Sequence, residues 1–295
     1  MPDLRPPATL RAVTYNLLNG GVDGRSEERF DAQLGIIKSL VPGVLALQEC
    51  TRWDENDNRR LNTMAKETEM SVVAMVPSRI GDRRNFTALL YRPAKLRLLD
   101  RRQRGKGVLH HAMIQAHLRP LDAPDDSADF TALGTHLAHT DGDTRLTEVR
   151  GWATDLGGAF LGTPRRAMLL GDLNCARTAD TFDWDLVPPN LHARYRLVRP
   201  DGTFGDADLR AMQVLLASGW QDPETITKIR RTPTVGHYYA NEKGDVCLDH
   251  ILVRGLTVRS YETYDTAMAR HVSDHLPTVL DAETGVQREK GEGRV

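Results

Sequence analysis

RAVTYNLLNGGVDGRSEERFDAQLGIIKSLVPGVLALQE, residues 11–49, holds two apolar strand patterns on either side of a helical one. RAVTYNLL (11–18) is β-branched and aromatic and stops at Asn-Gly-Gly, the pattern of a buried strand. EERFDAQLGIIKSL (27–40) repeats apolar residues at helical spacing, and Pro42-Gly43 ends the run. GVLALQE (43–49) is a short unbroken apolar run, as expected of a strand buried on both faces. Strand, helix and strand in this order predict a parallel crossover unit.

A polar helix is expected near 58–68. SVVAMV, FTALLYR, VLHHAMIQAHL (108–118) and DFTALGTHL then follow one another at strand length between 71 and 136. Turns such as Arg92-Pro93 and a Pro/Asp-rich loop at 119–129 separate them, so an antiparallel meander is expected. A helix at 144–160 and the strand RAMLLGDLN (166–174) come next. Residues 176–205, with Trp184, Pro188-Pro189 and DGTFG, read as a long irregular connection. A helix at 206–218 and strands at 234–240, 246–253 and 277–280 complete the pattern. There is no internal repeat and no linker rich in Pro, Gly or Ser. The expected organisation is a tail at 1–10, one domain at 11–283, and a flexible charged tail at 284–295.

Composition narrows the class. The 295 residues carry 27% charged and 40% hydrophobic side chains and a formal net charge of −1. That length supports a full hydrophobic core, and that balance excludes wholesale disorder and a histone-like polycation. Cys50, Cys175 and Cys247 are too few for a disulfide framework. No apolar run is long enough to span a membrane, and the first residues lack the apolar stretch of a signal peptide. A soluble cytoplasmic protein without an obligate protein partner is expected. Of 39 basic residues only seven are lysine. Arginine grips phosphate through its planar fork, although a GC-rich coding sequence selects the same bias.

Chemistry-bearing residues recur at one kind of place, the ends of predicted buried strands. Asn16 follows RAVTY, Glu49 follows VLALQ, and His136 follows TALGT. Asp172 and Asn174 follow AMLLG, Asp249 and His250 follow VCL, and Asp274 and His275 lie in VSDHLP. Strand ends are where distant segments of an α/β sheet converge on one crevice. Each residue alone has an ordinary reading as a turn, a cap, a core histidine or a structural ion pair. A carboxylate such as Glu49, at the end of a run as apolar as VLALQ, is costly to bury unless paired or metal-bound. Carboxylates, amides and imidazoles without clustered thiolates suit a hard cation and acid–base work by histidine.

Taken in order, the pieces TYNLLNG (14–20), LALQEC (45–50), GTHLAHT (134–140), LLGDLNC (169–175), LDHILV (248–253) and VSDHLPTV (272–279) resemble the endonuclease/exonuclease/phosphatase superfamily. The resemblance implies an α+β fold, a four-layer α/β/β/α sandwich of two packed mixed β-sheets flanked by helices. It implies Glu49 as principal metal ligand for Mg²⁺ or Mn²⁺, Asn16 beside it on metal-bound water or phosphate, and Asp274 as a further ligand. It implies that Asp172 orients or deprotonates the attacking water and that Asn174 holds a phosphate oxygen. Asp249 would fix the tautomer of His275, which would bind phosphate, with His136 a second imidazole near the leaving group. The implied reaction is in-line hydrolysis of a phosphoester, with a nuclease on DNA or RNA preferred. A phosphodiesterase or phosphatase for small phosphoesters or phospholipid headgroups is the alternative. A non-catalytic phospho-ligand-binding protein on the same fold is the third.

The sequence departs from the family pattern in two places. An acid that orients the first histidine in the pancreatic deoxyribonuclease type is here Asn85, which leaves His136 without its carboxylate. The second acid of the abasic-site nucleases is here Leu18, which points away from a dedicated abasic-site enzyme. Arginine runs at 59–60, 83–84, 101–102 with Arg104 and Lys106, and 230–231 suggest a phosphate-neutralising rim or a solvated surface. Trp53, Trp184, Tyr238 and Tyr239 are candidates for stacking or packing, Trp184 foremost for substrate. The three thiols near motif residues suggest buried packing, with oxidative inactivation as the sharper alternative.

Overall fold

The structure is a computed structural model that describes residues 9–157, 164–241 and 244–284. Its strands are β1 (Thr9–Asn16), β2 (Val44–Gln48), β3 (Ser71–Pro77), β4 (Phe86–Tyr91), β5 (Leu96–Arg104), β6 (Met113–Pro120), β7 (Phe130–His136), β8 (Arg166–Asp172), β9 (Arg196–Val198), β10 (Phe204–Ala207), β11 (Asp249–Arg254), β12 (Thr257–Thr263) and β13 (Thr278–Glu283). Its helices are α1 (Glu28–Leu40), α2 (Glu55–Glu67), α3 (Gly142–Glu148), α4 (Thr154–Gly157), α5 (Pro189–Tyr195), α6 (Arg210–Ala217), α7 (Pro223–Thr227) and α8 (Ala267–Val272).

Two mixed sheets form the centre. One runs β12-β13-β1-β2-β4-β3 and the other β11-β8-β7-β6-β5, with β9 and β10 as a separate small hairpin. The expected crossover is present: β1 and β2 pair in parallel around α1. Because strand side chains alternate in direction, β1 sends Ala12 to one face and Val13 and Tyr15 to the other. Ala12, Ala46 and Leu89 meet Ala132, Met168 and Ile251 between the sheets. Val13, Tyr15 and Leu47 pack outward against Phe30, Ile37, Met64 and Val272 of the helices. Leu133, Leu169 and Leu252 of the second sheet pack outward against Leu146, Met212 and Trp220. The result is the four-layer sandwich expected from the motifs.

Several local expectations are corrected. The stretch from 71 to 136 is not one meander: β3 and β4 belong to the first sheet, β5 to β7 to the second. β5, LRLLDRRQR, was hidden by its charges, which an exposed edge strand tolerates and which protect that edge. The strand expected from 108 starts at Met113. The helix expected over 144–160 divides into α3, a π-helical turn at Val149–Ala153, and α4. The connection at 176–205 is structured, containing α5 and β9, with β10 at its end. No strand forms at 234–240. The expected tails at 1–10 and 284–295 lie almost wholly outside the described residues.

Candidate active site

Each sheet contributes one parallel pair, β1–β2 and β7–β8, and the two pairs end at the same edge of the sandwich. Asn16 closes β1 and Glu49 follows β2; His136 closes β7 opposite Asp172, which closes β8. Three further residues arrive from the other direction. Asp249 begins β11, antiparallel to β8 and opposite Asp172, which corrects the expectation that it follows a strand. Asp274 and His275 precede β13, antiparallel to β1. Antiparallel strands therefore deliver their first residues to the edge where parallel strands deliver their last. Gly171 makes the closest approach possible: a Cβ there would lie 2.0 Å from the Thr135 carbonyl oxygen.

A cleft of about 340 Å³ opens at this edge. Glu49, His136, Asp172, Asn174, Asp274 and His275 line it, while Asn16 and Asp249 stand behind it and act through neighbours. Asn16 Nδ2 donates to Asp172 Oδ2 at 3.1 Å, and its Oδ1 accepts from the Leu18 N–H. Asp172 Oδ1 accepts from the Asn174 N–H at 2.8 Å. Asn174 Nδ2 donates to the Leu137 carbonyl at 3.1 Å. Glu49 and Asn174 are non-glycine residues with φ of 54° and 47°, a costly conformation held by the surrounding sheet ends.

The electrostatics divide the site. Burial raises Asp172 to about 7, partly opposed by His275. Burial also works against charge on His275, but Asp249 and Asp172 hold it well above the ordinary histidine value. Its Nδ1 lies 2.8 Å from Asp249 Oδ2, and its Nε2 lies 3.9 Å from Asp172 Oδ2. His136 differs: burial drives it well below its ordinary value, and neighbouring imidazoles add to the effect. Glu49 is raised by burial and by Asp274, with the Asn19 N–H holding it down from 2.9 Å.

Residues fit for a hard cation are present. Asp274 Oδ1 is buried without a hydrogen-bond partner among the described residues, and it faces the mutually repelling Glu49. A cation between these carboxylates would relieve both. Asp172, Asp249 and His275 also offer ligand atoms within 4.8 Å of one another. In that second group Asp249 already neutralises His275, so it is better suited to charge stabilisation than to ligation.

Other expectations resolve here. His250 does not pair with Asp249; its Nε2 faces the carbonyls of Cys175 and Cys247 at 2.9 and 3.0 Å, tying two loops together. Asn85 lines the cleft but makes no hydrogen bond to His136. The arginine rim is largely engaged elsewhere: Arg59 and Arg60 with Glu27, Arg84 with Asp54 and Glu55, Arg102 with Asp100, and Arg231 with Glu224. Arg194 is the one arginine lining the cleft among the described residues. Trp184 stacks on Phe182, which lines the cleft in its place, and Trp53 is buried in the core. The thiols are buried, Cys175 and Cys247 pushed up to about 11, so they are inert packing groups. Sequence reasoning missed His111 and His139, which also line the cleft; the signal was the pair His110-His111 interrupting an apolar run.

The profile of the Endonuclease/Exonuclease/phosphatase family matches residues 13–275. No curated protein sequence matches the chain significantly. Similar solved structures include an endonuclease/exonuclease/phosphatase from Bacteroides vulgatus, 16% identical over 94% of this chain and 99% of that one, with a TM-score of 0.65. A mannosyl-6-phosphatase of Bacteroides thetaiotaomicron is 17% identical over 92% and 99%, with a TM-score of 0.61. TDP2 of D. rerio, complexed with a single-strand DNA product, is 13% identical over 94% and 99%, with a TM-score of 0.62. At these identities the likeness establishes the shared fold. Among the described residues no helix is long and apolar enough to cross a membrane.

Proposed function

The chain belongs to the endonuclease/exonuclease/phosphatase family, and from that premise we propose that it is a divalent-metal-dependent phosphoesterase cleaving phosphodiester bonds by in-line attack of an activated water. The observation that carries the reading is the position of Asp172, buried between two imidazoles at the edge where both sheets deliver carboxylates. Asp172, raised by burial and oriented by Asn16, accepts the proton of the attacking water. His275, kept cationic by Asp249, binds the phosphate and opposes the charge that grows on it. Asn174 and His136 hold the remaining phosphate oxygen and the leaving side. Glu49 and Asp274 are the residues that would hold Mg²⁺ or Mn²⁺, with Asn16 beside them; the bound cation supplies positive charge to the phosphoryl group. Residues 11–283 act as one catalytic unit.

A nucleic acid strand is the leading substrate. Small phosphoesters or lipid headgroups are the second reading, supported by Arg194 being the one arginine lining the cleft among the described residues and by the ion-paired state of the expected rim. The test is a Mg²⁺ and Mn²⁺ panel of single-stranded DNA, duplex DNA, RNA, sphingomyelin and bis-(p-nitrophenyl) phosphate, run beside Glu49→Ala and His275→Ala. Hydrolysis of a nucleic acid by wild type and its loss in both variants is expected. Undiminished activity in the variants overturns the mechanism, and inertness toward DNA and RNA transfers the assignment to small phosphoesters.

A further inference from the structure

The family pattern supplies His136 with an orienting acid, and this chain has Asn85 instead. His136 Nδ1 and Asn85 Oδ1 are both buried, and neither has a hydrogen-bond partner among the described residues. What meets the His136 ring is His111: the two rings stack at a centroid distance of 3.9 Å with an interplanar angle of 4°. His111 is itself tethered, its Nδ1 lying 2.7 Å from Ser78 Oγ. Ser78 follows β3 of the first sheet, and its N–H is held by the Asn85 carbonyl at 2.7 Å. His111 precedes β6 of the second sheet, so the tether crosses between the sheets. Glu148 fixes the segments that carry both rings, accepting from the N–H groups of His110 and Ala138 at 2.7 Å each.

We propose that His111 is a positioning residue: held by Ser78 and stacked on His136, it fixes the His136 ring in the place of the missing carboxylate hydrogen bond. His136 Nε2 lies 3.5 Å from Asp172 Oδ2, a contact too long to fix the ring by itself, and a parallel aromatic neighbour removes the remaining freedom about its side-chain torsions. The assignment rests on the phosphoesterase reading for its catalytic consequence, but the orientation of His136 is measurable without turnover.

The experiment combines kinetics on bis-(p-nitrophenyl) phosphate with ¹⁵N imidazole spectra of the unliganded protein. His111→Ala is expected to lower kcat by about three- to tenfold with KM within about twofold, no more than the loss of His136 itself, through which it acts. His111→Phe, which keeps a flat ring, restores most of that loss, and Ser78→Ala gives an intermediate one. In a His136→Ala background, His111→Ala costs less than about twofold. In the spectra, the His136 ring signals are single and sharp in wild type and His111→Phe, and broaden or split in His111→Ala as the ring samples more than one orientation. His111→Phe as impaired as His111→Ala, or an undiminished His111→Ala effect without His136, overturns the proposal. An unchanged His136 spectrum in His111→Ala overturns it too, even if that variant has lost activity. A wild type inert on every phosphoester, with the spectral change intact, overturns the catalytic reading and leaves the positioning established.

Discussion

Asp172 is flanked by two imidazoles that are held in opposite states. His275 Nε2 lies 3.9 Å and His136 Nε2 lies 3.5 Å from the same carboxylate oxygen, and both side chains are largely withdrawn from water. Burial opposes charge on both rings, so it does not separate them. The second nitrogen does. His275 Nδ1 meets the Asp249 carboxylate, whereas His136 Nδ1 meets no partner among the described residues and its ring lies against neutral His111. The surroundings beyond the first contact decide which histidine carries charge and which supplies shape.

If that contrast governs the chemistry, the two histidines differ in cost. His275→Ala is expected to reduce kcat by about 100- to 1,000-fold, the scale of removing a preorganised charge stabiliser. His136→Ala is expected to cost about tenfold; equal losses in steady-state assays break the comparison. The cation side is separable from both. Glu49→Gln is expected to raise the Mg²⁺ concentration for half-activation about tenfold or more, while the His136 variant leaves it unchanged. A metal titration of kcat reads this directly.

The charge contrast also has a pH signature. Asp249 raises the His275 value, so Asp249→Asn lets the ring lose its proton at lower pH. The alkaline limb of the kcat/KM profile is expected to move down by about one unit or more, and an unmoved limb refutes the role of Asp249. The smallest effect is on stability. Burial lowers His111 to about 3 and His250 to about 4, whereas the unfolded rings titrate near 6.5. Below about pH 6.5 the unfolded chain gains protons that these buried rings refuse, so stability falls as the pH drops toward 4. Each proton contributes at most about 1.4 kcal/mol per pH unit, read as a lower urea midpoint at pH 5 than at pH 7. His275 has the opposite sign: its contribution is full below about 6.5 and is lost as pH rises through its elevated folded value.

The crossover β1–α1–β2 and the strand-end residues were legible because apolar runs and polar terminations are local patterns. The convergence of Asp249 and His275 was legible only through resemblance. Their delivery depends on strand direction, which no periodicity encodes. β5 escaped because an exposed edge needs no apolar alternation, and α5 with its hairpin escaped because short elements owe their form to tertiary contacts such as Arg145 bonded to the Arg194 carbonyl. His111 was read as part of a strand; its importance lies in a stack between segments far apart in sequence, which only the folded sheets create.

β1 has β2 on one side and β13 on the other, and Arg11 reaches Asp281 across 270 residues of chain. During synthesis β1 must therefore wait, one edge open, until β13 has been made. Its partner β13 comes just after His275, so the event that seals the sheet also seats the cationic imidazole. Recovery of activity on refolding is then a reporter of the final long-range closure. A fragment lacking β13 would present one edge of Thr9–Asn16 with its backbone N–H and C=O groups unpaired, a template for self-association that Arg11 alone guards.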